Sequence, residues 1–250
     1  MEKHNNLNTS PQGIVSKMVS YRRPWFRRKL FVALGDYYLE RDRVRGERDL
    51  ETLADTAKRE ACWLFVSEKN IWLNLARKHE EERDANGSLT GLSVSTQIPV
   101  LSEVGDASHY HVHVLTKGEK ANARSEFADP ERKLSALYES LVLATPSDGD
   151  MLCYAQIVNL YPNESIDFRV ISHYGKAIVK FDSIADPQNV KAKYAETLSG
   201  KEISRITKDK PQFKGAIDEC VYEVNEALKG ILHTRFILRN GEDNISRGQN

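Results

Sequence analysis

Ser108-His109-Tyr110-His111-Val112-His113-Val114 carries a histidine at every second position. Successive side chains of an extended strand point to opposite faces, so this spacing predicts a strand over 109–115 with all three imidazoles on one face. Neutral imidazole is a borderline-soft ligand suited to zinc, and two such groups two residues apart can grip one ion. Three of the seven histidines of the chain fall in this heptapeptide. It is therefore the first place to look for a chemical centre.

Working outward, the pattern alternates between helix and strand. Leu50, Leu53, Ala54 and Ala57 recur at helical spacing, with Asp49 as the expected N-cap. After Glu60 comes Ala61-Cys62-Trp63-Leu64-Phe65-Val66-Ser67, an apolar run of strand length, and a second strand is expected from Leu92 to Val100. Beyond the histidines, Asp129-Pro130-Glu131 opens a helix with Leu134, Leu137, Leu141 and Val142 on one face. Thr145-Pro146-Ser147-Asp148-Gly149-Asp150 breaks the chain and caps a helix over Met151 to Leu160. Strands follow at Phe168–Ser172 and Ala177–Phe181, joined by a hairpin turn at His173-Tyr174-Gly175-Lys176. Helices are expected at Val190–Ser199 and Ala216–Leu228, and a strand at Arg235–Leu238. Helices and strands interleave without a regular βαβ rhythm, which predicts an α/β or α+β sandwich.

Composition sets the surrounding bounds. Hydrophobic residues make up 40% of the 250 residues and charged residues 29%, ordinary values for a globular protein. Lys plus Arg balance Asp plus Glu at 36 each, so no global charge draws the chain to nucleic acid or to an anionic membrane. Cys62, Cys153 and Cys220 lie far apart and show no CxxC spacing, which fits thiols in a reducing cytosol and excludes a cysteine-based zinc cluster. The polar N-terminus lacks the apolar core of a signal peptide, and no stretch is long and apolar enough to span a bilayer. A cytoplasmic location is expected. Residues 1–13 and 240–250 read as flexible tails. Residues 14–48 form a basic, aromatic arm around Tyr21-Arg22-Arg23-Pro24-Trp25-Phe26-Arg27-Arg28-Lys29, expected to dock through its apolar side chains.

Three separated pieces acquire a joint meaning. Glu60 heads an apolar strand, Tyr110-His111-Val112-His113 follows on a later strand, and Ser147-Asp148-Gly149-Asp150 opens a helix. This order resembles the JAMM (MPN+) metalloprotease family, in which a Glu heads a strand, an H-x-H pair follows, and S-x-x-D comes last. Glu60 to Ser67 resembles the family's E-x-x-G-x-L-x-G strand, with Trp63 and Ser67 in place of its glycines, and Tyr110 to His113 resembles its W-Y-H-x-H segment. Val114 stands where the family usually has proline, and the segment 114–145 is an insertion before S-x-x-D. The resemblance implies a catalytic domain over 49–182, a mixed sheet flanked by helices, with residues 183–239 as a helical C-terminal extension.

The resemblance also implies a catalytic zinc ion with His111, His113 and Asp150 as ligands, Glu60 as the general base and Ser147 as an oxyanion donor. Three protein ligands leave a fourth position open, the mark of catalytic zinc. The expected reaction is hydrolysis of a peptide or isopeptide bond in a protein substrate, such as a conjugate of ubiquitin or a ubiquitin-like modifier. His109 and His173 fall outside the expected ligand set. Two other readings compete: the same fold as a non-catalytic scaffold, and a cupin-like barrel, whose first motif is echoed by Gly105 and His111-x-His113 but which the flanking helices disfavour.

Overall fold

A computed structural model describes residues 43–56, 60–83, 89–96, 106–114 and 133–239. The described elements are mixed α/β. A six-stranded sheet comprises β1 (Ala61–Val66), β2 (Ile71–Asn74), β5 (Ala107–Val112), β6 (Ile166–Ile171), β7 (Gly175–Phe181) and β8 (Leu232–Leu238). Its order is β2-β1-β5-β6-β7-β8, and only the β5–β6 pair is parallel. β3 (Ala76–Arg83) and β4 (Leu89–Thr96) form a separate two-stranded sheet. The large sheet is open and covered by helices, which sets aside the cupin-like barrel.

The continuous apolar run of β1 is explained by cover on both faces. Ala61, Trp63 and Phe65 pack with Tyr110, Val112 and Ile171 under Leu50, Leu53 and Ala54 of helix α1 (Arg43–Thr56). Cys62, Leu64 and Val66 point the other way, into a larger core with Phe168, Val170 and Val179. Helix α3 (Asp148–Leu160) brings Met151, Tyr154, Ala155 and Ile157 to that second face. Helices α4 (Pro187–Thr197) and α6 (Phe213–Ala227) add Val190, Tyr194 and Val224 to the same core. A third cluster joins Leu137 and Leu141 of α2 (Lys133–Ala144) to Ile203 and Ile206 of α5 (Gly200–Asp209) and to Phe213 and Ile217 of α6.

Several expected boundaries move. Helix α1 already includes residues 43–48 ahead of the expected cap at Asp49, and charge anchors these turns where no leucine stripe exists. Glu47 accepts hydrogen bonds from Arg169 Nη1 and Lys176 Nζ, both at 2.6 Å, and from the Tyr110 hydroxyl. Arg43 donates to Ser108 Oγ at 2.7 Å. Gly46 lets the helix settle on Trp72, since a Cβ there would lie 2.4 Å from the indole Nε1. The part of the expected arm over 43–48 is thus the start of α1, and the rest of the arm lies outside the described residues, as do both tails.

On α2, Leu137 and Leu141 are buried while Leu134 and Val142 are exposed, so the four do not share one buried face. Strand β2, strand β3 and helix α5 have no counterpart in the sequence reading. β2 follows a tight turn in which Asn70 takes a positive φ of 48°, a conformation Asn tolerates. The residues after 182 do more than append helices. β8 pairs with β7 along its whole length, and Val190, Tyr194, Val224, Leu228 and Leu232 share the core of the sheet. The β6–β7 turn needs Gly175, whose φ is 156° and whose added Cβ would meet the Ile237 carbonyl at 2.3 Å.

Candidate metal centre

The antiparallel β1–β5 pair sets Cys62 opposite His111, so Glu60, just before β1, lies beside the end of β5 that carries His111 and His113. Because β5 and β6 run parallel, the chain must cross over between them. That crossover carries α2 and α3 and brings the start of α3 back to the same end of β5. The alternation read in the sequence holds: Ser108, Tyr110 and Val112 meet α1 and its ion pairs, and His109 and His111 face α3.

Glu60, His111, His113, Ser147 and Asp150 converge there. His111 Nδ1 donates to Asp150 Oδ1 at 2.6 Å, and His111 Nε2 to Glu60 Oε2 at 3.2 Å. His113 Nε2 lies 3.4 Å from Asp150 Oδ2. His113 Nδ1 donates to the Leu143 carbonyl, at the end of α2, at 3.0 Å. With Nδ1 so engaged, Nε2, which faces Asp150 Oδ2, is the nitrogen that a ligand role would use. One ligand atom each from Glu60, His111 and His113 lie within 4.8 Å of one another. The donor set, two imidazoles with carboxylates, suits zinc.

The electrostatics follow from this crowding. Burial alone would lower the His111 pKa, but the Asp150 carboxylate, and then Glu60, outweigh it and hold the value up to about 10. Burial alone would raise the Asp150 pKa, and the His111 charge and hydrogen bond, joined by His113, hold it well below the usual carboxylate range. Without metal, the arrangement is an imidazolium clasped between two carboxylates. A cation bound at this point would have to displace that proton.

Ser147 is the N-cap of α3. Its Oγ accepts from the Asp150 backbone N–H at 3.0 Å and donates to Asp150 Oδ2 at 2.8 Å, and its own backbone N–H donates to the same oxygen at 2.8 Å. The capping box therefore aims Asp150 at the histidines. The hydroxyl proton of Ser147 is engaged by Asp150, so donation to an oxyanion requires the hydroxyl to turn away from this bond.

His109 lies deeper than the other two. It is 4% exposed, packs against the rings of Tyr154 and Phe168, and has Nε2 3.1 Å from Cys62 Sγ. Burial, followed by the His111 charge, lowers its pKa to about 3. His173 pairs with Asp55 at 2.7 Å and has no part in the cluster. The sequence reading missed the Leu143 carbonyl. A backbone group carries no residue-type signal, and the sequence marks α2 only as part of an insertion at the rim of the site. Compared with protein-family models, with curated proteins and with solved structures, the chain has no match in any of the three.

Proposed function

We propose that this protein is a zinc-dependent hydrolase of peptide or isopeptide bonds, with its metal held by His111, His113 and Asp150. The observation that carries this reading is the Asp150 carboxylate, which reaches both imidazoles, Oδ1 to His111 and Oδ2 to His113. Zinc bound by three protein groups would activate water at neutral pH. Glu60, partly open to solvent and with a carboxylate oxygen within 4.8 Å of ligand atoms of His111 and His113, would take a proton from water and return it to the leaving amine. Ser147 holds Asp150 in its ligating pose. The reaction class and a protein substrate, such as a ubiquitin-like conjugate, rest on the JAMM resemblance of Glu60, His111-x-His113 and Ser147-x-x-Asp150.

A second assignment of the carboxylates has its own support. The mutual approach of ligand atoms from Glu60, His111 and His113 favours Glu60 as the ligand, with Asp150 orienting His111 through Nδ1. A scaffold role without metal is disfavoured by the cluster, since it needs none of these four side chains. Among the described residues no helix is long and apolar enough to cross a membrane. Cys62, Cys153 and Cys220 form no disulfide, which supports a reducing, cytoplasmic setting.

The direct test is hydrolysis of isopeptide-linked ubiquitin-like conjugates by the wild-type protein, before and after a strong chelator. Cleavage that disappears with chelation and returns with zinc is expected. Cleavage that survives complete removal of metal would rule out the zinc mechanism.

A further inference from the structure

Beyond the ligands themselves, one short segment bears on the geometry of this centre. Residues 143–150 supply both orienting contacts: the Leu143 carbonyl accepts from His113 Nδ1, and the Ser147 cap holds Asp150. Two ligands therefore depend on the conformation of the eight residues that join α2 to α3. The segment is fixed at its middle by a side chain from outside it. Tyr194, on α4, donates its hydroxyl to the Pro146 carbonyl at 2.7 Å in a buried setting. Thr145 back-bonds to the Leu141 carbonyl at 3.0 Å, which ties the start of the turn to α2.

The Tyr194 ring is 3% exposed and belongs to the main core with Val190, Val224 and Leu228. Its hydroxyl is thus a polar point held by a rigid apolar body, next to the residue that begins the capping box. Pro146 has no N–H of its own, so its carbonyl is the one backbone hydrogen-bonding group it offers. Resting on the metal-centre reading above, we infer that Tyr194 is a positioning residue. Through Pro146 it holds the 143–150 segment so that His113 and Asp150 present their ligand atoms to the same ion.

The test uses cobalt(II) alone as the probe, titrated into metal-free full-length protein and read by visible absorption. Wild type, Tyr194→Phe and Val190→Ala are compared, with circular dichroism confirming that each is folded. Val190→Ala removes buried apolar contact from the same helix and core but leaves the Tyr194 hydroxyl in place. The inference expects Tyr194→Phe to bind about 10- to 100-fold more weakly, with an altered absorption band, as loss of an orienting partner does. Val190→Ala should stay within roughly threefold of wild type, the band unchanged, since it leaves the Pro146 carbonyl its hydrogen-bond partner. A Tyr194→Phe titration that overlays wild type overturns the inference, and so does an equal shift in Val190→Ala. Wild-type protein that binds no cobalt overturns the metal-centre reading itself, a distinct result.

Discussion

Asp150→Asn protein is expected to emerge from purification without zinc, while Glu60→Gln protein keeps its zinc and loses hydrolysis by a factor of about 10² to 10⁴. The asymmetry follows from what each carboxylate touches. Asp150 spans both imidazoles and is aimed by the Ser147 cap, so a neutral amide there removes charge at the point where both histidines meet. Glu60 meets His111 at Nε2, and an amide in its place removes a proton acceptor. Both variants keep the size of the side chain, so packing is not the variable. The reverse outcome, with metal lost in Glu60→Gln and weakened about 10- to 100-fold in Asp150→Asn, would make Glu60 the ligand and Asp150 the orienting group. Full zinc occupancy in both variants would dissolve the site.

In metal-free protein, His111→Ala is expected to cost about 3–5 kcal/mol of stability, the range for removing one partner from a buried charge cluster. The His111 side chain is 12% exposed, and its loss leaves the Asp150 and Glu60 carboxylates without the cation between them. The pH dependence gives a second signature. The pKa of His111 is raised from 6.5 when unfolded to about 10 when folded, by Asp150 and Glu60 acting against burial. The stability it contributes is therefore fully present below 6.5 and is lost as pH rises through about 10. Urea unfolding of metal-free wild type should show declining stability across that window, and His111→Ala should lack the decline. Zinc-loaded wild type should lack it too, because the metal has already displaced the proton. Parallel pH profiles for wild type and His111→Ala, both metal-free, would mean that His111 is not the clasped cation described here.

Much of this was legible in the residues, for identifiable reasons. The period-two histidines marked β5, and the apolar run after Glu60 marked β1, because strand alternation and double-faced burial leave direct traces in sequence. The break at Thr145–Asp150 marked a capped helix but set its start at Met151; α3 begins at Asp148, because Ser147 and Asp150 close a capping box there. The meeting of Glu60, His111, His113 and Asp150 came from the order of motifs, since spacing alone does not say how β1, β5 and α3 are brought together.

Other features left weaker traces. β3, with Lys78, His79, Glu80, Glu81 and Glu82, has neither apolar alternation nor a run of β-branched residues. The turns of α1 ahead of Asp49 are tied down by Glu47 pairing with Arg169 and Lys176, more than a hundred residues distant, and no local pattern encodes that. The integration of β8 into the sheet is likewise a long-range pairing. Tyr194 belongs to no motif in the sequence, and its hydroxyl gains meaning only beside the Pro146 carbonyl.

The central claim is that these four side chains form a metal site. Inductively coupled plasma mass spectrometry of the native protein, purified without chelator and without added metal, addresses it most directly. About one equivalent of zinc per chain in wild type, absent from His113→Ala, is the expected result for one ion held by three protein ligands. A wild-type protein free of zinc and of any other divalent transition metal, which also takes none up when zinc is supplied, would contradict it.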